Sequence, residues 1–238
     1  MTGASFNLWD PDSGDPYTWA DTKKVVAALQ TKRKRQARTS SSAFYGLPPN
    51  EITNSETLAC MRPRIAVRDV ARSTDTRTVL AALVPPNIVL TNAAPYLLRR
   101  KGNVQDEAYL LGVLCSIPLD WYARRYVEIH VNNHVLNAFP IPRPAHDNPL
   151  RARVVQIAGR LAAVDQRYDD WAADVGVPVG SVPVDAKDDL VAELDAVVAL
   201  LYGLTRQDVQ HVFATFHRGW NYQPRLTATL THFDAWKA

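Results

Sequence analysis

The residues best placed to do chemistry lie in one stretch, RPRIAVRDVARSTDTRTVLAALVPPNIVLTN, over positions 62–92. It carries Arg62, Arg64, Arg68, Arg72 and Arg77. In an extended strand, alternate side chains share a face. Arg62, Arg64, Arg68 and Arg72 are therefore expected to project together, while Ile65 and Val67 turn inward. Planar guanidinium forks match phosphate oxygens and the O6 and N7 edge of guanine, so the chemistry this pattern offers is nucleic-acid contact. The same pattern also fits a solvated strand face whose arginines pair with nearby carboxylates. The polar loop after the first strand adds Ser73, Thr74 and Asp75, flanked by Arg72, Arg77 and Thr78. Hydroxyls, a carboxylate and arginines at a loop tip are expected to form a base-reading element.

Two further groups of cations lie outside this stretch. Lys32, Arg33 and Arg35 fall in the run KRKRQAR that ends the first helix. Cations there favour the helix dipole, and equally offer phosphate contacts. Arg124 and Arg125 follow Trp121 and Tyr122 on a later helix.

The elements that must position these residues can be read from periodicity and caps. Asp21 or Thr22 caps a helix running to about Arg38, with Val25, Val26 and Leu29 on its apolar side. Three strands are expected at about 64–70, 77–84 and 87–92, the last two joined at Pro85-Pro86. From Gln105 to Val127 the spacing of Leu110, Leu111, Leu114 and Ile117 is helical, and Pro118 divides that region into two helices. Val135–Pro144 reads as a strand entering a proline-rich hinge. Beyond it the pattern is helical: one long helix from Pro149 to about Val175, another from Asp185 to Tyr202 stopped by Gly203, and a third capped by Thr205. The aromatic tail from Trp220 to Trp236 is expected to pack back on the body. The expected fold is α+β, a small twisted antiparallel sheet with packed helices followed by a helical C-terminal segment. The division expected is residues 1–144 and 145–238.

Catalytic motifs are weak by comparison. His130 and His134 have the four-residue spacing of helical zinc sites, but Asn132 and Asn133 stand between them where a glutamate is needed. Asp185-Ala-Lys187 offers half of a nuclease-like pattern without a partner acid, and Asp185 fits a helix cap. The order Val84-Pro-Pro-Asn87 differs from the polar-Pro-Pro-aromatic order that holds a flipped-out base. A glycine-rich loop after a strand is missing, so this chain offers no evident seat for a nucleotide or S-adenosylmethionine. Neither a catalytic residue nor a metal site is expected in the chain. Cys60 and Cys115 are far apart in sequence, which favours reduced thiols over a disulfide.

Charge is unevenly spread. Residues 1–160 hold 21 Lys and Arg against 13 Asp and Glu, a balance of +8, whereas residues 161–238 hold 6 against 11, a balance of −5. One polyanion-facing region and one acidic region follow. The N-terminus has no apolar segment of signal-peptide type, and Glu193 and Asp195 interrupt the best apolar run, so a cytoplasmic location with no membrane partner is expected.

The order of segments at 62–98, 106–144 (DEAYLLGVLCSIPLDWYARRYVEIHVNNHVLNAFPIPRP) and 154–172 resembles the C-terminal region of large adenine-specific DNA methyltransferases. These are enzymes of restriction–modification and of BREX- and DISARM-type phage-defence systems. Segments ELDAVVALLYGL (193–204) and FHRGWNYQPRL (216–226) continue the likeness. The resemblance implies a target-recognition domain that binds double-stranded DNA, followed by a helical tail, with the strand arginines and the 72–78 loop toward DNA. The methyltransferase domain of that family is absent from this chain. The resemblance therefore implies S-adenosylmethionine on a partner methyltransferase or restriction subunit and no cofactor here. The alternative is a protein–protein assembly module of a defence complex that makes no DNA contact itself.

Overall fold

The structure, a computed structural model, describes residues 1–14, 17–72, 75–216 and 219–238. Its sheet, among those residues, is the antiparallel pair β1 (Arg64–Val67) and β2 (Ala81–Val84), in register Arg64 to Val84 and Val67 to Ala81. Every residue of both strands is buried. Ile65, Val67, Ala81 and Leu83 enter the main core. Ala66, Ala82 and Val84 pack on the other side against Phe6 and Ala94. A sheet covered on both faces has no solvent side, and this determines where its arginines go.

The third strand expected at 87–92 does not form. Asn87 takes a left-handed conformation, φ 61°, and the chain instead meets β1 further on. Val67 N–H donates to the Pro95 carbonyl at 2.8 Å, and Leu97 N–H to the Ile65 carbonyl at 2.9 Å. Pro95 has no N–H to give, so the contact stays a single bridge between Ala66 and Tyr96 instead of a ladder.

Helices supply the rest. Helix α1 (Thr22–Gln36) is capped by Asp21, whose side chain accepts from Lys24 N–H. Short α2 (Pro49–Thr53) follows, then β1 and β2. Asn103 caps α3 (Val104–Leu114) in a reciprocal box with Asp106, and Pro118 opens α4 (Ile117–Ala123), as its position in the sequence predicts. The segment expected as a strand at 135–144 begins instead with α5 (Asn133–Asn137), because Asn132 accepts from His134 and Val135 N–H and starts a helical turn.

The long helix expected from Pro149 to Val175 is two. Helix α6 (Pro149–Ala162) stops, and α7 (Asp169–Val175) begins after a tight turn in which Asp165 accepts from Arg167 N–H. The break lets Tyr168 drop into the core, where its hydroxyl donates to the Leu83 carbonyl at 2.7 Å. Helix α8 (Val184–Leu201) is buried continuously from Val191 to Ala199 and forms the centre of the helical layer. Thr205 caps α9 (Arg206–Ala214), and α10 (Gln223–Lys237) returns along α8, so the aromatic tail packs as expected.

The fold is thus α+β with a helical C-terminal segment. One core joins β1 and β2 to Leu111 and Leu114 of α3, Val154 and Ile157 of α6, and Leu194 and Val197 of α8. Residues on either side of position 144 share it. Among the described residues, no helix is long and apolar enough to cross a membrane.

Candidate nucleic-acid interface

The arginines of the 62–78 stretch do not form an exposed comb. Arg64 is buried: its Nη2 donates to the Ile88 carbonyl at 2.6 Å, and its guanidinium lies 5.1 Å from the Tyr96 ring centre. Arg68 donates from Nε to the Gly3 carbonyl and from Nη2 to the Phe6 carbonyl, each at 2.7 Å. The cause is the N-terminal segment, which crosses the face that the alternation assigns to DNA. A Cβ on Gly3 would sit 2.7 Å from the Ala93 carbonyl oxygen and 3.0 Å from Arg68 Cγ, so only glycine allows this approach.

Arg77 is buried too. Its Nη2 donates to the carbonyls of Cys115 and Ser116, at 2.8 and 3.1 Å, and its Nε lies 3.6 Å from Asp120 Oδ1. Asp120 is fully buried and accepts from the N–H groups of Thr78 and Val79 at 2.9 and 2.6 Å. Arg124 reaches the same carboxylate at 3.3 Å, binds the carbonyls of Asp75 and Thr76, and stacks 3.9 Å from the Phe216 ring centre. Thr78 is buried. These groups hold the 75–79 connection to α4 and are not available to a groove. Sequence reasoning passed over Asp120, although its place as an acid embedded in an apolar run was the signal, since a buried carboxylate requires partners.

Arg62 and Arg72 remain exposed, as does Asp75, which accepts from Arg72 N–H at 2.9 Å. Arg125 is exposed and lies over Trp121, 4.4 Å from its ring centre. Ser73 and Thr74 lie outside the described residues.

The strongest exposed cationic element is α1. Its sequence, TKKVVAALQTKRKRQ, has six Lys and Arg and no acid. Lys23, Lys24, Lys32, Lys34 and Arg35 are exposed, and Arg38 continues the run just past its end. Lys24, Ala28, Thr31 and Arg35 share one face at helical spacing, with small side chains between the cations. Of the residues expected here, Arg33 is the exception: it is buried, donating to Thr57 Oγ1 at 3.0 Å and to the Asn54 carbonyl. With Gln30, which donates to the Thr53 carbonyl, it fastens α1 to α2 and the turn after it. Among the described residues, Arg33 is the single buried side chain of α1. The helix docks through these polar contacts and a half-buried apolar side of Val25, Val26 and Leu29, and turns its lysines outward.

Sequence reasoning passed over two further exposed groups. Arg99, Arg100 and Lys101 form an exposed basic run, and Arg100 Nη2 is 3.8 Å from where a Cβ on Gly46 would stand. That contact brings the run to the loop following α1. Three exposed aromatic residues flank α1 in sequence: Tyr17, Trp19, which is 87% exposed, and Tyr45. A count of consecutive cations before the Asn103 cap would have found the 99–101 run.

Other titratable groups are accounted for structurally. His130 Nδ1 lies 3.0 Å from Asp69 Oδ2, and His134 sits in the first turn of α5. Burial pushes the Cys115 thiol up to about 12, which keeps it protonated and unreactive. Among the described residues, no group of three or more His, Cys, Asp or Glu side chains is placed to hold a metal ion. No family model, curated protein or solved structure matches the chain.

Proposed function

We propose that the protein is the recognition module of a restriction–modification or phage-defence adenine-specific DNA methyltransferase and binds double-stranded DNA in the cytoplasm. In this reading, phosphate contact is made by α1 and the 99–101 run, not by the strand arginines. The single observation that carries it is α1: a fifteen-residue helix with six cations, no acid and, among the described residues, one fully buried side chain. A helix that buries so little of itself is stabilised poorly by its own fold, and a polyanion supplies what is missing. Exposed Arg62, Arg72 and Arg125 extend the cationic surface. The target-recognition resemblance supports the same assignment. S-adenosylmethionine and the methyl-transfer chemistry belong to a partner subunit. The exposed acids Asp169, Asp170, Asp174, Asp185, Asp188 and Asp189 keep the helical segment off DNA and offer it a docking side.

The test is fluorescence anisotropy with a mixed-sequence duplex across a series of salt concentrations, repeated with the single strand. Duplex binding that weakens steeply with salt is expected. Absence of duplex binding at low salt, alone and with a methyltransferase partner, refutes the proposal. Preference for the single strand reassigns the site to base stacking on Trp19 and its neighbours.

A further inference from the structure

Arg33 of α1 and Arg64 of β1 meet at one cavity. It has a volume of about 140 Å³ and lies between α1 and the body of the protein, walled by Leu29, Phe44, Leu58 and Leu90. The two arginines are 3% and 4% exposed. Among the described residues, neither guanidinium has a carboxylate within ion-pair distance, and the Nε of each is buried without a hydrogen-bond partner. Their remaining contacts are to neutral groups: Thr57 Oγ1 and the Asn54 carbonyl for Arg33, the Ile88 and Arg62 carbonyls and the Tyr96 ring for Arg64. Neutral acceptors satisfy N–H groups but do not cancel charge. Two buried cations at one apolar hole, neither in contact with a carboxylate, form a costly arrangement that an anion would complete.

We infer that this cavity is a binding site for a small organic carboxylate with an apolar body. The carboxylate sits against the two guanidiniums that line the cavity and supplies the negative charge they lack, and the hydrocarbon or aryl part fills the space beside Leu29, Phe44 and Leu58. The size fits: a cavity of about 150 Å³ lined by aliphatic and aromatic side chains takes a benzene ring. Inorganic phosphate suits the walls badly, since it carries no apolar surface and loses more hydration than two partly occupied guanidiniums return. Lys32, also on the lining, adds a third cation. Because α1 contributes one wall and β1 another, occupancy fastens the cationic helix to the body.

The experiment uses the full chain with benzoate and hexanoate as probes, and inorganic phosphate and benzyl alcohol at matched ionic strength as controls. Calorimetric titration and hydrogen exchange are read together. One-to-one carboxylate binding is expected, at least about tenfold tighter than either control, with slowed exchange at the amides of residues 25–36. Arg64→Gln, which removes one of the two guanidinium charges at the cavity, should weaken benzoate about tenfold or more. Leu29→Phe, which fills the cavity from a partly exposed position and removes no charge, should abolish binding and guards against misfolding of the arginine variant. The proposal is overturned if neither carboxylate binds, if phosphate or benzyl alcohol binds as tightly, or if carboxylate binding survives Leu29→Phe.

Discussion

Substituting Arg77 by Met separates the structural arginines from the candidate DNA-binding ones. Met keeps much of the apolar stem and removes the fork. The lost contacts are two charge-assisted hydrogen bonds to the Cys115 and Ser116 carbonyls and the 3.6 Å approach to Asp120. At roughly 1.5–3 kcal/mol for each such bond, the bracket is about 3–6 kcal/mol. Arg124 and two backbone N–H groups still hold Asp120, so the buried carboxylate is not stranded and the cost belongs at the lower end, about 3 kcal/mol. That is a large share of a typical domain's stability but leaves it folded. The companion variant, Lys34→Gln with Arg35→Gln, alters two exposed side chains that have no partner among the described residues. Its stability should stay within about 0.5 kcal/mol for each substitution. The assays are urea unfolding followed by tryptophan fluorescence, and duplex affinity against salt. Arg77→Met should shift the unfolding midpoint and leave the logarithmic salt slope unchanged. The double variant should leave the midpoint and reduce the slope by about 2, one for each phosphate contact. A reduced slope in Arg77→Met with an unchanged midpoint would refute the assignment.

The buried carboxylates predict opposite pH behaviour. Burial raises the Glu107 carboxyl above its ordinary 4.5, against the Trp171 hydrogen bond that lowers it. A raised folded value contributes stability at acid pH that is lost as pH climbs through it, so Glu107→Gln should be more stable than the parent at neutral pH, with the difference vanishing toward about pH 4. Glu193 is the reverse: burial pushes its carboxyl up, but bonds from Arg153 and Trp236 outweigh that and hold it below the ordinary value. Its contribution is present at neutral pH and lost on acidification, so Glu193→Gln should be less stable at neutral pH and equal to the parent in acid; urea midpoints at the two pH values check both signs. In α6, a Cβ on Gly159 would sit 2.7 Å from Val175 Cγ1, so Gly159→Ala should lose about 1–2 kcal/mol by thermal unfolding although alanine favours a helix by about 1 kcal/mol.

Local chemistry was legible and long-range covering was not. Asp21 and Thr205 cap helices as their types and positions dictate, and Pro118 opens α4, because each of these effects acts within one turn. The split of α6 from α7 depends on Tyr168 reaching the Leu83 carbonyl, a partner far away in sequence that periodicity does not register. The arginine comb failed for the same reason. Alternation correctly places Arg64 and Arg68 off the Ile65–Val67 face, but the other face is covered by residues 1–6 and 88–94, which no pattern within the strand reports.

Arginine is a poor marker of an interface when it is read by count alone, because one residue type serves two opposite purposes here. A guanidinium has five donors, so it can knit a loop-rich fold together by collecting backbone carbonyls that no helix or strand has satisfied. Arg68, Arg77 and Arg124 do this, and each binds carbonyls from segments distant in sequence. Lysine has no planar fork and holds its charge in water more strongly, so lysines rarely take that role. Where lysines and arginines are interleaved on a helix without acids, as at 32–35, most of the charge must face outward. The exception at Arg33 is then informative, since it is the member of that run that leaves its neighbours, enters the interior, and meets Arg64 at a cavity where, among the described residues, neither has a carboxylate in ion-pair contact. On these proposals the outward cations take an extended polyanion, and the inward pair takes a small carboxylate with an apolar body. The two sites share α1, so an occupant of the cavity changes how firmly the outward charges are held.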